Sequence, residues 1–159
     1  CDVEKDRLPY PDSYFDLIIS FGMLDYLPSF DNTLSQMHRV LKPKGEIIIS
    51  LPNLASWNNR LSLLLGYQPR DIEVSKKFIV GTHPYYRLTK AGKRPIGHIH
   101  TVTTRAFVQL TRYFGFKTLI IKGFSPEPPK GGIIIQWLDS ILKHKPELAR
   151  RFIWIGKKG

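Results

Sequence analysis

The chain has 159 residues, one cysteine and a net charge of +11. That length suits one domain with a sizeable core and leaves little for a second. The lone Cys1 excludes a disulfide framework or a cysteine metal cage, and no apolar run approaches the roughly 20 residues that cross a bilayer. No secretory leader pattern opens the sequence, so a reducing, cytoplasmic setting is the expectation.

The charge is unevenly placed. Residues 1–53 hold 5 Lys/Arg against 8 Asp/Glu, and residues 54–159 hold 19 against 5, so the two parts carry −3 and +14. A basic second part suits an anionic partner such as a membrane surface, a phosphate-bearing substrate or nucleic acid; a merely solvated basic face is the alternative.

In chain order, Phe15–Phe21 and Glu46–Leu51 are short, continuous and rich in isoleucine, bounded by turn residues. That pattern predicts two parallel strands buried on both faces. Between them Asp31–Leu41 reads as a helix. Asp31 is the expected cap, Leu34, Met37, His38 and Leu41 form one face, and Lys42-Pro43-Lys44-Gly45 is the stop. Strand, helix and strand with short links make a right-handed βαβ unit.

Ser56–Leu65 is a second predicted helix, with Trp57, Leu61, Leu64 and Leu65 as its apolar side. Residues 66–97 lack a period and read as a substrate loop or lid. Thr103–Tyr113 is a helix capped by Thr103 or Thr104, Lys117–Lys122 a strand, and Pro126–Gly132 a linker. An apolar helix, Ile133–Lys143, and a strand, Arg151–Lys157, close the chain. The order β-α-β-α-(loop)-α-β-α-β predicts an α/β sheet with helices on its faces and an exposed flank.

Three passages in order carry a family resemblance. Asp2-Val3-Glu4, Leu8-Pro9-Tyr10-Pro11-Asp12 and Phe15-Asp16-Leu17-Ile18 lead into the first strand. Ser20-Phe21-Gly22-Met23-Leu24-Asp25-Tyr26-Leu27 follows it, and Arg39-Val40-Leu41-Lys42-Pro43-Lys44-Gly45-Glu46 precedes the second. Together they resemble the class I S-adenosylmethionine-dependent methyltransferases, in their small-molecule branch. Gly97-His98-Ile99-His100-Thr101-Val102-Thr103, Phe114-Gly115-Phe116 and the closing Arg151–Lys158 resemble later passages of that branch.

The family's Gly-rich loop and the acidic residue ending its second strand have no counterpart in these residues. The resemblance therefore implies a chain lacking its N-terminal part. Residues 1–159 would be a single partial domain with a Rossmann-like methyltransferase fold, holding strands four to seven of a seven-strand, mostly parallel sheet whose last strand is antiparallel. Alone, such a fragment is expected to be inactive.

The resemblance also implies the cofactor, S-adenosyl-L-methionine, and its contacts. Asp2 would accept from the adenine amine, the Val3 N–H would meet a ring nitrogen, and Phe21, Gly22 and Met23 would cover ribose and methionine. The alternatives are exposed acids for Asp2 and Glu4, and core packing for Phe21 and Met23. Asp25-Tyr26 stands where relatives show Glu-His; without the titrating ring, no base is assigned there.

Methyl transfer from a sulfonium depends on positioning the acceptor, with a base where that acceptor is a hydroxyl. His98 is the candidate base. His98 and His100, on one side of an extended segment, and Asn53 and Trp57, after the second strand, are the candidate acceptor contacts. A histidine bonded to backbone is the alternative for His98. No third ligand at recognisable spacing joins the two histidines, so no metal is expected. Tyr85, Tyr86, Arg87, Lys90 and Lys93 could hold a phosphate or sugar.

The expected reaction is methylation of a small or lipid/sugar-linked acceptor, on oxygen before carbon or nitrogen. Nucleic acid is the less expected substrate, because no Asn/Asp-Pro-Pro-Tyr/Phe sequence follows the first strand. Ile133–Leu138 with Lys143 and Lys145 suits a helix lying on an anionic membrane face, and a non-catalytic binding module is the remaining alternative.

Overall fold

The computed structural model describes residues 1–84, 95–126 and 132–159. Tyr85, Tyr86, Arg87, Lys90, Lys93 and residues 127–131 of the expected linker lie outside the described residues. Four strands, β1 (Phe15–Phe21), β2 (Leu41–Pro52), β3 (Phe116–Phe124) and β4 (Arg151–Lys158), form one sheet in the order β1-β2-β4-β3. β1 and β2 are parallel, and β4 runs antiparallel to both β2 and β3. The helices are α1 (Asp31–Val40), α2 (Trp57–Leu64), α3 (Thr104–Tyr113) and α4 (Gly132–Leu142). None of the described helices is long and apolar enough to cross a membrane.

Side chains alternate across the sheet. Ile47, Ile49 and Leu51 of β2 and Phe152 and Trp154 of β4 point to one face, where Leu34 and Met37 of α1 and Phe107 of α3 close over them. These residues are the core, and the aliphatic spacing of α1 and α3 places their apolar stripes against it. Phe107 packs edge-on to Trp154, with ring centroids 5.5 Å apart.

β1 departs from the expectation of burial on both faces. Ile18 and Ser20 turn toward the core, whereas Leu17, Ile19 and Phe21 remain about half exposed on the other face. Among the described residues β1 is also an edge strand, paired only with β2. Isoleucine-rich runs announce strands; which faces are covered depends on neighbours that the run does not encode.

Two expectations about the helices are corrected. Asp31 is the first helical residue rather than the cap, and its N–H is taken by the Ser29 hydroxyl at 3.1 Å. α2 is inverted relative to its expected apolar side. Ser56, Asn59 and Ser62 are buried and Leu61, Leu64 and Leu65 face outward, because Asn59 Nδ2 donates to the Asn53 carbonyl at 3.2 Å and to Asp71 Oδ2 at 3.1 Å. Buried hydrogen bonds, whose loss is costly, orient this helix in place of its leucines. In α3, Thr103 is the cap, accepting from the Ala106 N–H at 3.1 Å.

Candidate active site

The site lies at the carboxyl ends of β1 and β2, and three chain segments converge there. The first is residues 2–14. The Val3 carbonyl accepts from Asn32 Nδ2 at 3.2 Å and Thr33 Oγ1 at 2.9 Å in the first turn of α1. Arg39 Nη2 donates to the Leu8 carbonyl at 2.9 Å, and the Tyr14 N–H donates to the Val40 carbonyl at 2.7 Å. The segment therefore runs along α1 from first turn to last before entering β1. α1 starts beyond the carboxyl end of β1, so Asp2, Val3 and Gly22 all stand at that end of the sheet.

The second segment is the connection from β1 to α1. Gly22 has φ +60°, and a Cβ placed there would meet nothing within 4 Å, so its backbone borders open space. Phe21 beside it is exposed, and Met23 packs partly on the core. A single 3-10 turn, Leu24–Tyr26, then sends Asp25 inward.

The third segment is residues 97–102, which cross the ends of both strands. The Ile99 N–H donates to the Asp25 carbonyl at 2.8 Å, and Val102 bridges Asn53 just after β2. This crossing buries His98 beside Asp25. Nε2 lies 3.1 Å from Asp25 Oδ2, with the two side chains 5% and 1% exposed. Arg151, opening β4, approaches the same oxygen at 4.0 Å. Tyr26 stacks edge-on to His98 at 5.1 Å, and burial, then the Asp25 charge, raises its hydroxyl above the ordinary tyrosine value.

Both Asp25 carboxylate oxygens and His98 Nδ1 are buried without a hydrogen-bond partner, and His98 Nε2 approaches Asp25 Oδ2 without a well-directed hydrogen bond. Such groups are costly in a core and concentrate where chemistry is done. In the sequence, Tyr26 beside it gives Asp25 no titrating partner. The legible signal was its place just after a strand's carboxyl end, where ligands gather in open α/β sheets.

His100 is exposed. Its Nε2 contacts the Pro28 carbonyl and its ring faces Phe30 at 6.1 Å. Both histidines thus address residues 25–30. Asn53 and Trp57 are placed differently from their expected acceptor contacts. Asn53 is fully buried, and both amide hydrogens are committed, to the Pro146 carbonyl at 3.1 Å and the Ala149 carbonyl at 2.9 Å. Trp57 donates its indole N–H to Asp139 Oδ1 at 2.9 Å, tying α2 to α4. Both hold the fold together, because the residues that engage them lie in the chain's last third, far away in sequence.

Glu73 accepts from the Ile96 and Gly97 N–H groups, each at 2.6 Å, and pairs with buried Arg70. Burial raises the Glu73 carboxyl, but the two N–H groups and Arg70 outweigh it and hold it below its ordinary value. Glu73 thereby anchors the segment that delivers His98.

Residues 1–49 match the family model described as a methyltransferase domain. Over its first third the chain is thus similar to a methyltransferase domain. The ubiquinone/menaquinone biosynthesis C-methyltransferase UbiE of Cupriavidus metallidurans is 42% identical over 50 residues, which make up 31% of this chain and 19% of that protein. The chain thus spans about a fifth of the length of the curated relatives it matches. In fold, an S-adenosylmethionine-dependent methyltransferase of Methanosarcina mazei superposes with a TM-score of 0.58 at 18% identity, over 95% of this chain and 62% of that one. The [4+2]-cyclase SpnF superposes with a TM-score of 0.51 at 17% identity, over 95% and 53%. The methyltransferase fold therefore extends through the described chain, whereas the sequence likeness is confined to its first third; a fold shared with a cyclase does not by itself dictate methyl transfer.

Proposed function

We propose that this domain binds S-adenosylmethionine at the carboxyl edge of its sheet and directs methyl transfer to a small or lipid/sugar-linked acceptor. The observation that carries the reading is one end of the sheet shared by the matched segment, the open Gly22 turn and the buried Asp25–His98 pair. In this reading the four strands are strands four to seven of a seven-strand sheet. The order β1-β2-β4-β3 with β4 antiparallel supports that, as do the bare edge of β1 and its uncovered Leu17, Ile19 and Phe21.

The described residues fit the adenosine half of the cofactor. Gly22 leaves room for a close approach to backbone, and Phe21 offers an apolar cover. The Asp2 carboxylate spends one oxygen on the Glu4 N–H at 3.0 Å, and a carboxylate has a second to offer an amine. When bound, S-adenosylmethionine supplies a methyl group already activated on a sulfonium.

His98 is the residue for the acceptor's proton. Its ring lies against Asp25, with Nε2 3.1 Å from Oδ2. A base that takes a hydroxyl proton serves oxygen methylation directly. It serves methylation of a ring carbon by pushing electron density toward it. The sequence reading favoured oxygen; the curated relative is named a C-methyltransferase, which favours carbon. Burial of Nδ1 supports a second reading, in which Asp25–His98 is a latch holding residues 97–102 across the strand ends.

The test is equilibrium binding of isotope-labelled S-adenosylmethionine to the full-length protein, followed by transfer to acceptors in an extract. Gly22→Val should weaken donor binding by about ten-fold, since a branched residue is strained at this φ. Absence of donor binding in the full polypeptide would overturn the proposal.

A further inference from the structure

We propose that the outer faces of α2 and α4 together form a docking surface for an anionic lipid bilayer. This goes beyond the methyl-transfer reading and stands without it.

The surface is built from two apolar stripes that the fold leaves outside. On α4, Ile135, Leu138 and Asp139 turn inward, while Ile133, Ile134, Trp137 and Ile141 are exposed, the first three at 82%, 71% and 61%. Their spacing places them along one side of the helix. On α2 the buried polar side forces Leu61, Leu64 and Leu65 outward, with Leu64 at 82% exposure. The Trp57–Asp139 hydrogen bond at 2.9 Å links the two helices, and the Trp57 N–H also bonds the Leu148 carbonyl, between α4 and β4, at 2.9 Å. Large exposed aliphatic side chains grouped on two linked helices, with a tryptophan among them, are not an ordinary solvated surface.

Charge selects the occupant. α2 contains no acid and one arginine, Arg60. α4 contains one acid, Asp139, which is 3% exposed beneath Trp57. Lys143, His144 and Lys145 follow directly after α4. Residues 66–84 repeat the pattern beside α2: Lys76 and Lys77 stand between exposed Val74 and Phe78, and the segment is held by the Tyr67 N–H bond to the Ser62 carbonyl at 2.8 Å. Apolar side chains flanked by cations, with Asp139 withdrawn and Glu147 the one exposed acid after α4, fit an interface of acyl chains below anionic headgroups. A second copy of this chain would bring +11 against +11, which opposes self-association through the same face.

The test is co-sedimentation of the full chain with phosphatidylcholine vesicles and with vesicles containing about one quarter phosphatidylglycerol. Binding is expected to the anionic vesicles, with weaker binding to neutral ones and only partial release by salt, because the apolar contribution is not screened. Ile133→Ser with Trp137→Ser should lower partitioning about ten-fold or more, since two large side chains leave the acyl region. Trp137→Phe should keep pelleting but lose the part of the fluorescence quenched by brominated lipid, which a folding defect would not mimic. Equal binding to neutral and anionic vesicles, unchanged binding of the double variant, or a concentration-dependent dimer abolished by that variant without vesicle binding would each overturn the proposal. None of these readouts involves donor binding or turnover.

Discussion

Asp25 and His98 are separated by 73 residues and meet at 3.1 Å inside the protein, each with an atom left unpaired. The buried contact exists because residues 97–102 cross the strand ends and place His98 above the turn after β1. Replacing His98 by Asn in the full polypeptide should lower turnover by about 10²–10⁴-fold if the ring moves a proton, with donor affinity nearly unchanged. If the pair is only a latch, the same variant should lose stability, by about 3–5 kcal/mol for a broken buried pair, and its turnover should fall only with the folded fraction. Thermal melts beside single-turnover rates separate the two.

Glu73 makes the anchoring of that segment sensitive to acid. Its carboxyl sits below the ordinary value of 4.5, so the folded state prefers the charged form. The resulting stability is present above the unfolded value and is lost as pH falls through the folded one. Amide exchange at Ile96 and Gly97 should therefore accelerate, relative to the core strands, below the usual carboxylate range. Glu73→Gln should produce the same acceleration at neutral pH, reflecting about 1.5–3 kcal/mol for hydrogen bonds to a charged group. Unchanged exchange in that variant would remove Glu73 as the anchor.

Gly156 is a packing position on β4. A Cβ there would lie 2.1 Å from the Trp154 indole, which is fully buried and donates to Thr118 Oγ1 at 2.9 Å. Gly156→Ala should therefore destabilise the domain by about 1–3 kcal/mol through overpacking, read as a lower denaturant midpoint with an unchanged slope. Trp154→Phe combined with Gly156→Ala should recover part of that loss.

Trp57→Phe should cost about 1–3 kcal/mol, because it strands the buried Asp139 carboxylate without its indole donor. Adding Asp139→Leu should restore much of the stability, as apolar groups replace both partners. The measurement is a double-mutant cycle in urea; additive losses would show that the tether contributes nothing.

The runs at Phe15–Phe21 and Glu46–Leu51, the Thr103 cap and the stop after α1 are local signals. Short-range sterics, caps and isoleucine periodicity determine such elements, so their order and most of their ends can be read without coordinates; β2 is the exception, starting at Leu41, because the residues read as a stop, Lys42–Gly45, extend the strand beside the start of β1. The methyltransferase resemblance is local too: its main passages lie within residues 2–46, where the family model also matches, and the later ones are equally short runs.

Other features depended on distant partners. Asn53 looked free to meet an acceptor until Pro146 and Ala149 were seen to take its amide, and Trp57 until Asp139 took its indole. α2 reads as leucine-faced, yet hydrogen bonds from Asn59 to Asn53 and Asp71 turn its polar side inward. His98 was recognisable as a chemical group, whereas Asp25 became its partner only through the crossing segment. One-dimensional order therefore decided the elements and the family likeness. Tertiary structure decided burial, pairing and which apolar faces stay bare, because those depend on contacts between residues that sequence spacing does not bring together.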